Sequence, residues 1–389
     1  MIEILMNKLV KYIFPLLVSF NVFLSCNQDE NNSTPELTYI EGQKVAIPTY
    51  DGYNINYRHP IVYNYQKDNS YHTAIYLIRQ DDPFWIDKYE NLDGKTIKVD
   101  SIKVPSEVFM GMHQNINEFG IIGIDSFIVQ PSYMATNGEN IFFEFSENHI
   151  KKYTLPNVHN NKKFIVANMN MNPINFKGHI GVGRLMYIEG AGTAEAFVDT
   201  VCKYNALVKF NFDNSEIEFF DEYDEILCDR KIENIFIQLK LRLLQDDRIV
   251  TLSPFKQEFH IFEKNEKRII PFNFEEFDEH YFGTKDTQKE MWVNDYFISL
   301  IYNPLTHKYY VLMFEGDDYI EPDEFIKKPK QKRKYTILVF NEQLSIEGKI
   351  NFNDTISNMY TGRLFPSPRG IFLRKQLKDK YEIQEFIIQ

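Results

Sequence analysis

The sequence predicts an all-β fold, a β-propeller of about six four-stranded blades in which an N-terminal strand closes the last blade. Three observations predict it. Helical periodicity is scarce beyond residue 36, alternating runs rich in Tyr, Phe, Ile and Val recur between turn-forming residues, and the order strand, turn, strand, hairpin returns along the chain.

The clearest unit spans Ile235 to Phe274. Ile237, Leu239, Leu241 and Leu243 alternate there with Gln238, Lys240 and Arg242, a two-residue period that sends one set of side chains inward. Asp246-Asp247, Lys256-Gln257 and Asn265-Glu266 then separate three further short runs, giving a four-strand meander. Pro60 to Ser101 repeats the order, with Asp93-Gly94 as a hairpin signal, and Phe119 to Leu155 ends in a hairpin around Glu147-Asn148. Val182 to Phe220 closes around Asp213-Asn214, and Asp295 to Phe352 turns at Asn303-Pro304. The last unit, from Gly362, has three evident strands. A ring needs a fourth to remove its open edge, and Leu37 to Ile40 or Lys44 to Ile47 can supply it.

The units recur at uneven spacings of roughly 50 to 75 residues, longer than WD-type blades, and no WD motif marks them. A two-sheet sandwich or two smaller β domains is the competing arrangement. Pro105 to Glu118, Asn157 to Ile180 and Glu315 to Lys334 do not fit the pattern and are expected to be insertions.

The N-terminus carries a different signal. Lys8 and Lys11 precede an apolar stretch, Tyr12 to Leu24, that stops at Leu24-Ser25-Cys26 before the polar run Asn27-Gln28-Asp29-Glu30-Asn31-Asn32. Pro15, Ser19 and Asn21 break that stretch, and it falls short of the ~20 apolar residues a membrane span requires. It therefore reads as a secretory leader, cleaner if translation starts at Met6; an uncleaved buried helix is the alternative. Leu-Ser-Cys resembles the lipobox of bacterial lipoproteins. The resemblance implies removal of residues 1–25, acylation of Cys26, a tether over 26–36 and a propeller over 37–389. The acidic, Asn-rich run resembles the tether that directs Bacteroidetes lipoproteins to the outer face of the outer membrane; a plain polar linker explains it equally.

The leader contributes a net +1 through Lys8, Lys11 and Glu3, so the whole-chain charge of −12 becomes −13 for the mature part. An acidic domain of this size is a poor candidate for sequence-independent nucleic-acid binding, which relies on clustered Lys and Arg, and no nucleic-acid partner is expected. With 43% hydrophobic residues the chain can bury a large core. Cys202 and Cys228 form either one bridge or two buried thiols, and are too few for a four-cysteine zinc site.

The lipobox, the aromatic four-strand units and the ending Arg363-Leu364-Phe365-Pro366-Ser367-Pro368-Arg369-Gly370-Ile371-Phe372 together resemble the uncharacterised β-propeller lipoproteins of Bacteroidetes, a family of unknown function related in shape to six-bladed, TolB-like propellers. The resemblance implies a cell-envelope protein and transfers no functional residues.

Candidate chemistry is sparse. Asp125, Asp295, Asp247 and Glu189 fall near inner-strand ends, where a lactone-hydrolysing propeller would hold calcium, but Asp also favours turns for its own backbone bonds. Asp278-Glu279-His280 and the other histidines show no ligand spacing. Ser253 and Ser367, each before a proline, lie in no nucleophile elbow, and Gly178-His179-Ile180-Gly181-Val182-Gly183 lacks the dinucleotide fingerprint. Trp85, Trp292 and many Tyr offer stacking surfaces for sugars, although blade cores also consume aromatics.

The most unusual segment is Glu315 to Lys334, acidic in its first half and basic in its second. Either the blocks neutralise each other in a solvated loop, or Asp317, Asp318, Lys328, Lys332 and Arg333 bind a partner. The expectation is a lipid-anchored protein that touches the membrane through Cys26 and presents a propeller face to a protein or glycan, with no catalytic residue, cofactor or metal. A calcium-assisted propeller hydrolase acting on lactones or sugars is the alternative.

Overall fold

The computed structural model describes residues 33–48, 61–79, 84–92, 95–109, 116–131, 136, 138–167, 174–187, 205–222, 241–245, 247–264, 266–277, 293–316, 334–352, 364–376 and 380–389. The chain divides into two compact units, Met1–Pro35 and Glu36–Gln389. The leader and Cys26 lie outside the described residues, and the second unit is the propeller.

Six antiparallel sheets form it. Blade 1 is β2 (Ile61–Lys67), β3 (Ser70–Arg79), β4 (Trp85–Leu92) and β5 (Lys95–Lys103). Blade 2 is β6 (Ile116–Gly123), β7 (Ser126–Pro131), β8 (Asn140–Ser146) and β9 (His149–Leu155). Blade 4 is β16 (Leu241–Gln245), β17 (Arg248–Leu252), β18 (Glu258–Glu263) and β19 (Glu266–Pro271). Blade 5 is β20 (Tyr296–Asn303), β21 (Lys308–Phe314), β22 (Tyr335–Phe340) and β23 (Ile346–Asn351). Blade 6 joins β24 (Leu364–Ser367), β25 (Gly370–Gln376) and β26 (Lys380–Ile388) to the N-terminal β1 (Tyr39–Pro48). The ring closes through the inner strands: β2 lies against β6 and β24, and β16 and β20 continue the circuit to β24.

Blade 3 corrects one expectation. Asn157 to Ile180 is not wholly an insertion, because it holds β10 (Val158–His159), β11 (Lys162–Ala167) and β12 (Asn175–Lys177), followed by β13 (Ile180–Tyr187), β14 (Asn205–Asn211) and β15 (Glu216–Glu222). Strands β11 and β12 share one edge of β13: Ala167 pairs with Arg184, and Asn175 with Val182. Two short pieces thus do the work of one inner strand, and β12 contacts the inner strands β6 and β16 of the flanking blades. β10 and β12, of two and three residues, are too short to show a two-residue period, and β11 buries Phe164, Ile165 and Val166 in succession without alternating. Pro105 to Glu118 keeps a connecting role, with a 3-10 turn at Ser106–Val108, although β6 already begins at Ile116.

Both faces of a blade are buried, which explains the apolar runs. In β22, Ile337 and Val339 enter one core cluster while Leu338 and Phe340 enter another. In β8, Phe142 faces blade 3 while Ile141, Phe143 and Phe145 face blade 1. Each fully buried aromatic or branched side chain contributes about 1.5–3 kcal/mol, so the seams between blades are the core.

The closing strand combines both segments foreseen for it. β1 pairs with β26 from Tyr39↔Ile388 to Pro48↔Lys380, with one irregularity between Glu41 and Lys44. The Glu385 carboxylate fills that bulge, accepting from the Gln43 amide at 3.1 Å and pairing with Arg369 at 2.6 Å. A Cβ on Gly42 would fall 2.5 Å from Glu385 Oε2, so any larger residue there must displace that carboxylate.

The first-to-second and third-to-fourth strand turns lie at one end of each blade, here called the turn face. The remaining connections form the crossover face.

Candidate functional site

Two regions concentrate polar chemistry. The first is the base of the charged insertion, which leaves blade 5 between β21 and β22 on the crossover face. Asp317, Asp318, Lys328, Lys332 and Arg333 lie outside the described residues, but both ends of the segment are held. The Glu315 amide donates to the Lys334 carbonyl at 3.2 Å, and the Gly316 amide donates to Asp295 Oδ1 at 2.6 Å. Gly316 is demanded sterically, because a Cβ would fall 2.3 Å from the Val293 carbonyl oxygen. The buried Thr336 hydroxyl lies 2.8 Å from Glu315 Oε1 and 3.0 Å from Asn351 Oδ1. The insertion thus springs from a fixed two-strand base.

The second region is the seam between blades 1 and 2. Asp125 occupies the β6–β7 turn with φ 54°, a left-handed conformation that Asp tolerates through local hydrogen bonding. Its carboxylate lies 3.1 Å from Lys88 Nζ and accepts from the Tyr76 hydroxyl at 3.0 Å, both across the seam in blade 1. Lys88 also lies 3.5 Å from Glu90, which accepts from Tyr65 at 2.8 Å. The ammonium sits 5.9 Å from the ring centroids of both Tyr65 and Tyr76. Burial, followed by the Glu90 hydrogen bond and charge, pushes the Tyr65 pKa up to about 12. Burial and the Asp125 charge also raise that of Tyr76. Tyr65 further stacks between Tyr63 and His72, at 6.4 and 5.5 Å.

A parallel cluster joins blades 2 and 3. His179, in the β12–β13 turn, places Nδ1 2.7 Å from Asp213 and Nε2 3.3 Å from Glu144. Tyr153 donates to the same Glu144 at 2.5 Å. Burial alone would lower the His179 pKa; the Asp213 hydrogen bond and the Glu144 charge outweigh it and raise the value. The two carboxylates thus favour the protonated imidazole more than water does.

The carboxylates weighed as calcium ligands do not converge. Asp125 is engaged at its seam, Asp295 at the insertion base, and Asp247 is exposed in the β16–β17 turn. Glu189 lies outside the described residues. Among the described residues no group of three or more His, Cys, Asp or Glu is placed to hold a metal. Ser253 and Ser367 are buried and accept from the amides of Phe255 and Arg369 two residues on, as turn residues do. The glycine-rich run enters blade 3: Gly178 turns with φ 55°, and a Cβ on Gly181 would fall 2.3 Å from the Phe210 ring. Trp85 is half-buried beneath Arg79, 5.8 Å away. Trp292, Cys202, Cys228 and His280 lie outside the described residues.

Sequence reasoning missed Lys88, Glu90, Tyr76, Glu144, Tyr153 and His179 as partners, since the contacts that join them run between strands, and those of Lys88 and Tyr76 with Asp125 and of His179 with Glu144 cross from one blade to the next. The readable signal was charge at inward-alternating positions, as in Asp87-Lys88 on β4.

The fold has a solved counterpart. A member of the DUF4221 family from Bacteroides vulgatus superposes with a TM-score of 0.67 at 10% identity, over 92% of this chain and 99% of that one. This chain shares its six-bladed propeller fold. A luciferin-regenerating enzyme aligns over 88% of this chain and 95% of its own, at 10% identity and a TM-score of 0.42. No family model and no curated protein matches the chain. The likeness to the DUF4221 protein is therefore one of fold.

Proposed function

We propose that this propeller is a lipid-anchored protein of the bacterial cell envelope, held to the outer membrane through Cys26, that acts by binding a protein or glycan partner on its crossover face. The observation that carries the binding half is the clamped base of the 317–333 insertion. Asp295, Glu315 and Thr336 fix the ends of a long segment bearing dense charge of both signs, and a loop positioned by a rigid scaffold is the usual carrier of recognition. The lipobox supports the anchoring half.

Deleting Asp317 to Lys332, with a short glycine bridge, is expected to abolish partner capture from envelope extracts and retention on a glycan array, while thermal unfolding stays close to wild type. A deletion variant that keeps every wild-type interaction would falsify the binding half. The anchor is checked separately: radiolabelled palmitate should mark the wild-type protein and not Cys26→Ala.

A further inference from the structure

The exposed large hydrophobic side chains are unevenly placed. Among the described residues there are eight, and four sit at the turn-face ends of three consecutive blades. Ile40 (50% exposed) is on β1 of blade 6, at the level of the β24–β25 turn through the pairings Ile40↔Ile387 and Ile387↔Gly370. Tyr71 (53%) is beside the β2–β3 turn of blade 1, paired with Gln66. Ile124 (49%) is in the β6–β7 turn of blade 2, and Ile150 (39%) beside its β8–β9 turn. Among the described residues the turn ends of blades 3, 4 and 5 expose no large hydrophobic side chain and present Asp213, Glu216, Asp247, Lys264, Glu266, His307 and Gln343, whereas those of blades 6, 1 and 2 set theirs among the exposed Arg369, Lys67, Asp68 and Glu147.

Two further observations fix what this sector faces. The first hairpin of blade 1 projects beyond its neighbour: Asn64, three residues from the end of β2, donates to the carbonyl of Pro366, one residue from the end of β24. Two additional residues on each strand carry Tyr71 roughly 7 Å further out. The propeller also begins on this side. Glu36 and Leu37 run along Lys349 of blade 5, and Tyr39 then starts β1 at the turn-face end of blade 6. From Cys26 to Glu36 the chain reaches roughly 35 Å at full extension, so an acyl chain on Cys26 keeps a bilayer within that distance of the sector.

We infer that the turn face of blades 6, 1 and 2 rests on the bilayer, with Tyr71, Ile124, Ile40 and Ile150 seated at the lipid interface. Tyrosine suits the headgroup level, and isoleucine gains by leaving water there. The crossover face, with its charged insertion, is then directed away from the membrane toward a partner. This inference rests on the lipid anchor proposed above.

The test uses acylated full-length protein in vesicles of brominated phosphatidylcholine, with Tyr71→Trp and Ile124→Trp compared against Val158→Trp, an exposed position following β9 on the crossover face. After subtraction of parental fluorescence, the residues introduced at 71 and 124 should lose emission to bromine and the one at 158 should not. Acylated protein without quenching at 71 and 124, or with equal quenching at 158, overturns the orientation alone. Protein whose mass shows no acyl group on Cys26 overturns the anchor and the orientation with it.

Discussion

The seam between blades 1 and 2 and the seam between blades 4 and 5 face the same packing problem and solve it with different chemistry. In the first, a buried lysine bridges Asp125 and Glu90 between two tyrosine rings. In the second, Gln245 is the hub: its side-chain oxygen accepts from Arg248 at 2.8 Å and from the Tyr309 hydroxyl, while Arg248 lies 5.9 Å from the Tyr309 ring. Within blade 5, Tyr302 and His307 converge on Glu342. A neutral amide satisfies its neighbours wherever they are ionised or not. An ammonium between carboxylates is held by charge, and removing it strands two acceptors. The comparison teaches that the polar groups of both seams are answered by partners from either side, as Tyr65 answers Glu90 within blade 1 while Tyr76 answers Asp125 and Tyr309 answers Gln245 from the opposite blade.

The most severe way to break the first seam is to hollow its apolar floor. Phe127 is fully buried against Tyr76, Phe119 and Phe145. Phe127→Ala should cost about 3–5 kcal/mol in urea unfolding; a cost below ~1 kcal/mol would mean the blades do not meet there. Next comes the ion pair. Lys88→Met should lose about 1–3 kcal/mol, and Tyr309→Phe in the other seam about 0.5–1.5 kcal/mol. A reversed order would overturn the contrast drawn above.

The third effect is smaller and depends on pH. The folded pKa of His179 is raised above its ordinary 6.5, so its contribution is fully present below that value and fades as pH rises through the folded value. The gap in Tm between wild type and His179→Gln should therefore be widest below pH 6.5 and narrow as pH rises above it. A gap that widens with pH would sink the assignment of a charged histidine. Smallest is the alkaline term. The pKa of Tyr65 stands at about 12 against 10.0 ordinarily, so its stabilisation is lost between pH 10 and 12. Tyr65→Phe should flatten the decline in Tm over that interval, while a curve parallel to wild type would show that Tyr65 takes no part.

Much of the fold was legible. The strands of blades 1, 2, 4 and 5 follow the runs of Tyr, Phe, Ile and Val to within a few residues, because strands buried on both faces read as short apolar runs bounded by turn residues, although the outward face expected for Arg242 is buried as well. Asp93-Gly94 and Asp213-Asn214 separate the strands they were expected to separate. Blade 3 resisted, since its inner edge is assembled from β11 and β12 with residues 168–174 between them. The site was less legible. Asp125 and Asp295 stood out as turn acids, but Lys88 and Gly316, which explain them, lie far away in sequence.

Local composition and periodicity by themselves determined that this chain is all-β, built in repeating antiparallel units, with a charged segment in the fifth unit. Both kinds of signal are read within a few residues of one another. Tertiary structure alone decided how the units meet: β1 closing on β26 through a bulge around Glu385, Lys88 reaching Asp125 and His179 reaching Glu144 across their seams, and Ile40, Tyr71, Ile124 and Ile150 sharing the turn face of blades 6, 1 and 2. Such contacts depend on where ring closure brings distant strands together, and that placement belongs to no single segment of the chain.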